Sequence, residues 1–305
     1  MAAQLGVSRS SYADVGGPVH FLEWEGPRER TFILIHGLGG MHANWLAVAP
    51  ELARLGRVIV PDLPGFGLSP LAGRSASLPA TRLTLGAFVR SVADGPVTVA
   101  GNSMGGGLAM MLAAYEPELV RAIVLTGSVF PLARGGVPSP AVVGGFALYR
   151  VPGLGRWAVE QRIRKLDAER VVNLGLRFVA VHPERIAQGI VDEHVRVVLA
   201  RRTDPDATSA FLEATRSLLG LGARRDVARR IMEAVACPVL VVHGRRDRFV
   251  PPAFAEAALR EHPSWNYRFL PDVGHVPQLE APARWLAAVG EWLETDAPDS
   301  EPVRA

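Results

Sequence analysis

The 305-residue chain is 49% hydrophobic and 21% charged, with a formal net charge of +3. That supplies enough apolar material for one large core or a core with an inserted subdomain, and its arginines are too dispersed to mark a nucleic-acid binder. A single cysteine, Cys237, excludes an internal disulfide and a multi-cysteine zinc site.

The first residues, MAAQLGVSRSSYADVGG, lack the basic-then-apolar succession of a secretory signal, and no run of about 18 apolar residues follows. The expectation is a cytoplasmic protein with no stable membrane insertion. Short β-branched runs then predict strands at 19–24, 31–36, 57–62, 97–102, 121–127, 238–244 and 266–271. Most are apolar on both faces and alternate with helical stretches, the pattern of a mostly parallel sheet covered on both sides by helices. The alternation fails between Val129 and Asp226, where arginine-, alanine- and leucine-rich helical segments carry almost no strand signal. This predicts an α/β core made of residues 1–128 and 227–305, with residues 129–226 inserted as a helical cap. The polar, proline-rich tail from Thr295 reads as disordered. No oligomeric state is assigned.

At the fourth predicted strand the chain reads VTVAGNSMGGGLAM. Gly101-Asn102-Ser103-Met104-Gly105 fits G-x-S-x-G between a strand and a helix, the setting of a nucleophile elbow, in which bulk two positions either side of the serine would collide with the turn. Neither a dinucleotide fingerprint nor a P-loop can be read here, so no cofactor is implied. No metal is implied either. A serine hydroxyl needs a histidine to take its proton and an acid to fix that histidine's tautomer. Asp247, after the strand at 238–244, and His275, after the next, supply them in the order Ser, Asp, His described for this elbow. His36 and His243 end strands and read as buried, hydrogen-bonded groups; His20, His42, His182, His194 and His262 show no partner pattern. Asp62 and Asp272 read as loop-organising carboxylates. Developing negative charge would be met by the amide of Met104 and one from the loop HGLGG, where Leu38 is the chosen donor.

In these segments, HGLGG, DLPGFGLS, GNSMGG, GRRDRFVP and GHVPQLEAP, the chain resembles the α/β-hydrolase superfamily over nearly its whole length. The resemblance implies a serine hydrolase with the triad Ser103, Asp247 and His275. GNSMGG is similar to the elbow of meta-cleavage-product hydrolases, which split carbon–carbon bonds and carry a helical cap, although Val276 stands where those enzymes often have an aromatic residue. Haloalkane dehalogenases and related epoxide hydrolases place aspartate where this chain has Ser103; cofactor-free haloperoxidases share the serine triad. The expected activity is hydrolysis of small to medium, largely apolar carboxylic esters, with a small-molecule ester or ketone and water as partners. The alternatives are C–C hydrolysis, with a cap arginine such as Arg162, Arg164, Arg177 or Arg185 holding a carboxylate, and a hydrolase-fold ligand receptor with little turnover. The cap residues Val142, Val143, Phe146, Ala147 and Leu148, with Met104 and Phe130 near the mouth, are candidates for lining the pocket.

Overall fold

In a computed structural model, eight strands form one sheet in the order β1-β2-β4-β3-β5-β6-β7-β8. The structure describes residues 9–130, 137–151 and 153–295, with the backbone alone at 163 and 164. The N-terminal residues before Arg9, the segment 131–136 and the tail beyond Thr295 lie outside them. The strands are β1 (Arg9–Asp14), β2 (Pro18–Trp24), β3 (Thr31–Ile35), β4 (Arg57–Pro61), β5 (Val97–Asn102), β6 (Val120–Thr126), β7 (Val239–Gly244) and β8 (Asn266–Leu270). β1 and β2 pair antiparallel with their neighbours, and the other six strands run parallel.

The inner parallel strands β3 to β7 bury both faces, which is why they read as apolar runs, whereas the edge strand β8 leaves Tyr267 and Arg268 exposed. Ile33, Ile35, Val97, Val99, Ile123, Leu125, Val239 and Val241 face one core. The residues between them, Phe32, Leu34, Ala100, Ala122, Val124, Leu240 and Val242, face the other. In the second core Trp45 meets Trp285 edge-on at 5.6 Å. The Trp285 Nε1–H donates to Thr126 Oγ1 at 2.9 Å, so both polar groups are satisfied while buried.

β1 escapes the sequence pattern. RSSYAD has no apolar face, and its residues alternate between exposed and half-buried. It is a strand because the chain reverses at Gly16 and Gly17, both at positive φ, and the edge of β2 supplies its hydrogen-bond partners. Between β6 and β7 the described chain is helical: Pro140–Arg150, Leu154–Lys165, Ala168–Val179, Gln188–Ala200, Ala207–Ala223 and Arg225–Glu233, with one short 3-10 turn. The last of these straddles residue 226 and packs on helix Met104–Tyr115.

Candidate active site

The C-terminal ends of parallel strands converge on one edge of the sheet, where ligands of open α/β sheets bind. Leu38 follows β3, Ser103 follows β5, Asp247 follows β7 and His275 follows β8. Leu38, Ser103 and His275 line a single cavity of about 880 Å³.

Ser103 sits at φ +54°, ψ −116°, a left-handed conformation that an L-residue keeps only when its surroundings impose it. The sharpness of that turn explains the flanking glycines. A Cβ on Gly101 would lie 2.2 Å from the Gly105 carbonyl oxygen, and one on Gly105 would lie 2.4 Å from that of Ile35. Gly106 serves packing instead, since its Cβ would strike Ser128 Oγ at 2.2 Å. Met104 opens helix Met104–Tyr115, so its amide is among those a helix leaves without an intrahelical acceptor. Its side chain is buried.

Opposite the elbow, the Gly40 N–H donates to the Gly37 carbonyl at 3.0 Å, closing a turn with Leu38 and Gly39 at its centre. Gly39 takes φ +70°, as the third position of a type II turn requires. Gly37 brings this backbone close enough that a Cβ there would lie 3.1 Å from Ser103 Cβ.

The His275 Nδ1–H donates to Asp247 Oδ2 at 2.8 Å. Asp247 Oδ1 accepts from the amides of Phe249 at 2.8 Å and Val250 at 3.0 Å. Burial opposes the Asp247 charge, but His275, through charge and hydrogen bond, together with His243 and the Val250 amide, outweighs it; the carboxyl stays below the ordinary range. The Phe249 ring stacks on His275 at 4.9 Å and 20°. Burial is the main influence on His243 and lowers its pKa, and its Nε2–H donates to the Val250 carbonyl.

Two groups that hold His275 gave no motif in the sequence. The Asn102 amide donates to the carbonyls of Thr126 at 2.9 Å and His275 at 3.1 Å, tying the histidine's backbone to the elbow. Glu280 accepts from the amides of Gly274, Val181 and His182, and the His275 amide donates to the Val179 carbonyl at the end of an inserted helix. A buried Asn beside the serine and a buried Glu five residues after the histidine are the only traces the sequence carries of this bracing.

The competing groups separate cleanly. His36, fully buried, has its pKa lowered by desolvation to about 4; it donates to the Gly37 carbonyl and accepts from the Leu63 amide. Asp62 Oδ2 accepts from His20 Nδ1, His42 Nδ1 and the Leu68 amide, each at 2.8 Å, while Oδ1 takes the His42 amide. His42 Nε2 donates to Glu193 Oε1 of an inserted helix at 2.9 Å. Burial disfavours a charged His42, yet Asp62 and Glu193 overcome it and raise its pKa to about 9. The atoms of His20, His42 and Asp62 lie within 4.8 Å of one another, but the Asp62 oxygens are spent on N–H donors. Asp272 is at the surface between Arg185 and Arg284.

The cavity walls are mostly apolar, with Val142, Phe146, Phe130, Val172, Leu176, Phe211 and four of the six methionines, Met41, Met110, Met111 and Met232, but Arg150, Arg201 and Arg202 also reach them. Val143, by contrast, is 46% exposed. Arg162 lines the cavity, Arg177 is exposed, and the Arg164 side chain lies outside the described residues. No helix among the described residues is long and apolar enough to cross a membrane.

Comparison with known proteins agrees with this architecture. The chain is 31% identical over 283 residues to a 2-hydroxymuconate semialdehyde hydrolase of Pseudomonas sp. (strain CF600), covering 87% of each chain. It is 30% identical over 265 residues to a pimeloyl-[acyl-carrier protein] methyl ester esterase of Aeromonas hydrophila, covering 86% of this chain and 94% of that one. A thermophilic esterase from Thermogutta terrifontis superposes with a TM-score of 0.70 at 23% identity, over 94% of this chain and 98% of the other. Residues 30–282 match the family model of the alpha/beta hydrolase fold, from the start of β3 to beyond His275, and the chain belongs to that family.

Proposed function

We propose that this hydrolase cleaves carboxylic esters with apolar acyl groups through an acyl-enzyme on Ser103. The observation that carries the reading is the Asp247–His275 hydrogen bond of 2.8 Å, held at the wall of the apolar cavity that Ser103 also lines. Ser103 Oγ attacks the ester carbonyl as its proton passes to His275 Nε2. Asp247 holds the other proton on Nδ1 and stabilises the imidazolium. The amides of Leu38 and Met104 stabilise the oxyanion. His275 then protonates the departing alcohol, and a water deprotonated by His275 releases the acid and restores Ser103. The helices inserted between β6 and β7 act as the cap that roofs this chamber.

C–C bond hydrolysis is the second reading, favoured by the 31% identity to a 2-hydroxymuconate semialdehyde hydrolase and by Arg162 in the cavity wall. The esterase reading ranks first because the chamber walls are mostly apolar. A panel of p-nitrophenyl esters plus one ring-opened dienoate, run on the native chain and on Ser103→Ala, tests both. Repeated ester turnover abolished by Ser103→Ala is the expected result. Ester turnover that survives the substitution overturns the mechanism; dienoate cleavage far above ester cleavage reverses the ranking, and a single slow turnover marks a receptor.

A further inference from the structure

Beside the main chamber lies a second cavity of about 370 Å³, lined by Leu78, Pro79 and Val227 and also by Arg82, Ser217 and the exposed Tyr115 and Arg224. Met111, Leu221 and Ile231 line both cavities, so one layer of flexible aliphatic side chains separates them. Methionine in such a layer adapts its shape readily.

The glycines around this wall have no local reason to be glycine. Gly220 and Gly222 lie in the last turns of helix Ala207–Ala223 and Gly145 in the middle of helix Pro140–Arg150. None has positive φ, and a Cβ on any of them would meet nothing within 4 Å. Glycine inside a helix is less stable than alanine, so the backbone gains nothing from these residues. What they have in common is position: Gly145 and Gly222 line the main chamber and Gly220 lines the rear cavity. Their missing side chains leave open space, which at the exposed Gly220 reaches the surface.

The direction of the chain follows from the proposed chemistry, on which this inference rests. The leaving alcohol takes its proton from His275, so it occupies the part of the chamber beside Phe178, Phe249 and Val276. The acyl chain is left to run along helix Met104–Tyr115, past Met110 and Met111, towards Ile231. We propose that the rear cavity is the distal half of the acyl site, entered between Met111, Leu221 and Ile231, and that Gly220 sets the longest unbranched chain accepted. At about 30 Å³ for a water-sized group, the rear cavity adds room for on the order of ten methylenes beyond the main chamber. The ligand class is therefore long, unbranched acyl esters, longer than the small to medium ones expected from the sequence.

The test fills the rear cavity and leaves the chamber alone. Native enzyme, Gly220→Leu and Val227→Phe are compared on p-nitrophenyl butyrate, octanoate, laurate and palmitate, with Gly290→Ala on the outer helix Pro282–Thr295 as the control. The expected result is that both plugs lower kcat/KM for palmitate by about tenfold or more, the worth of two or so buried methylenes, while butyrate stays within about twofold. Gly290→Ala leaves the chain-length profile unchanged, and Tm shows that each variant is folded. Equal effects on butyrate and palmitate, or no effect on either, overturn the proposal. A second measurement does not depend on catalysis. Calorimetric binding of butyric through palmitic acid to Ser103→Ala should tighten by up to about fourfold per methylene, and the gain should stop earlier when Gly220→Leu is added. If no ester is turned over but this truncation is seen, the ester reading fails and the acyl site stands; if turnover is normal and the truncation is absent, the acyl site fails alone.

Discussion

His42 joins Asp62, just after β4, to Glu193 in helix Gln188–Ala200, and its replacement by glutamine should change how stability depends on pH. Its Nδ1 donates to Asp62 at 2.8 Å and its Nε2 to Glu193 at 2.9 Å, so the ring is held as an imidazolium between two carboxylates. Its pKa moves from an ordinary 6.5 to about 9 in the fold, a difference worth about 3 kcal/mol. Because the folded value is the higher one, that stability is fully present below pH 6.5 and is lost as pH rises through about 9. Glu193, which burial pushes up and Arg196 and His42 pull down to about 2, works in the opposite direction. Its contribution is present above its ordinary 4.5 and lost as pH falls towards 2. His36, lowered to about 4, also acts only below 6.5, and Cys237, pushed up to about 12 by burial, acts only above 9. The interval from 6.5 to 9 therefore belongs to His42. Equilibrium urea unfolding of native and His42→Gln proteins across it should show the native chain more stable by about 3 kcal/mol at its acid end, or on the order of 5 °C in Tm. The gap should close at the alkaline end. A gap that is constant across the interval would refute the imidazolium latch.

Other outcomes follow from the same geometry. Asp247→Asn keeps an oxygen for the Phe249 and Val250 amides and turns its NH₂ towards His275, trapping the tautomer that cannot accept the Ser103 proton; kcat on p-nitrophenyl butyrate should fall by roughly 10⁴ with KM little changed. A loss below tenfold would argue against that role. Gly105→Ala puts a methyl 2.4 Å from the Ile35 carbonyl oxygen, and reduced soluble yield with activity at background is expected; full activity would mean that the elbow is looser than its backbone indicates. Trp285→Phe removes the donor that satisfies Thr126 Oγ1 at 2.9 Å and should cost about 1–3 kcal/mol in urea unfolding, with Trp285→Phe/Thr126→Val recovering part of it.

The sequence by itself determined the framework of parallel strands and the glycine-flanked turn that carries Ser103. The inner parallel strands are buried on both faces, so their residues are mostly apolar, and a nearly unbroken apolar run is visible without knowing its neighbours. The elbow is equally legible, because backbone atoms 2.2 Å and 2.4 Å from the would-be Cβ atoms of Gly101 and Gly105 leave only one residue type possible. What only the tertiary structure decided depends on partners far apart in the chain. β1 is a strand because β2 offers it an edge. His42, with no pattern of its own, acquires its charge from Asp62 and from Glu193, 151 residues away. Asn102 and Glu280 become braces of the His275 loop only when β5, β6 and the inserted helices meet it. Local sterics write themselves into residue choice at fixed spacing; electrostatic partners and enclosed volume arise from folding and leave no spacing to read.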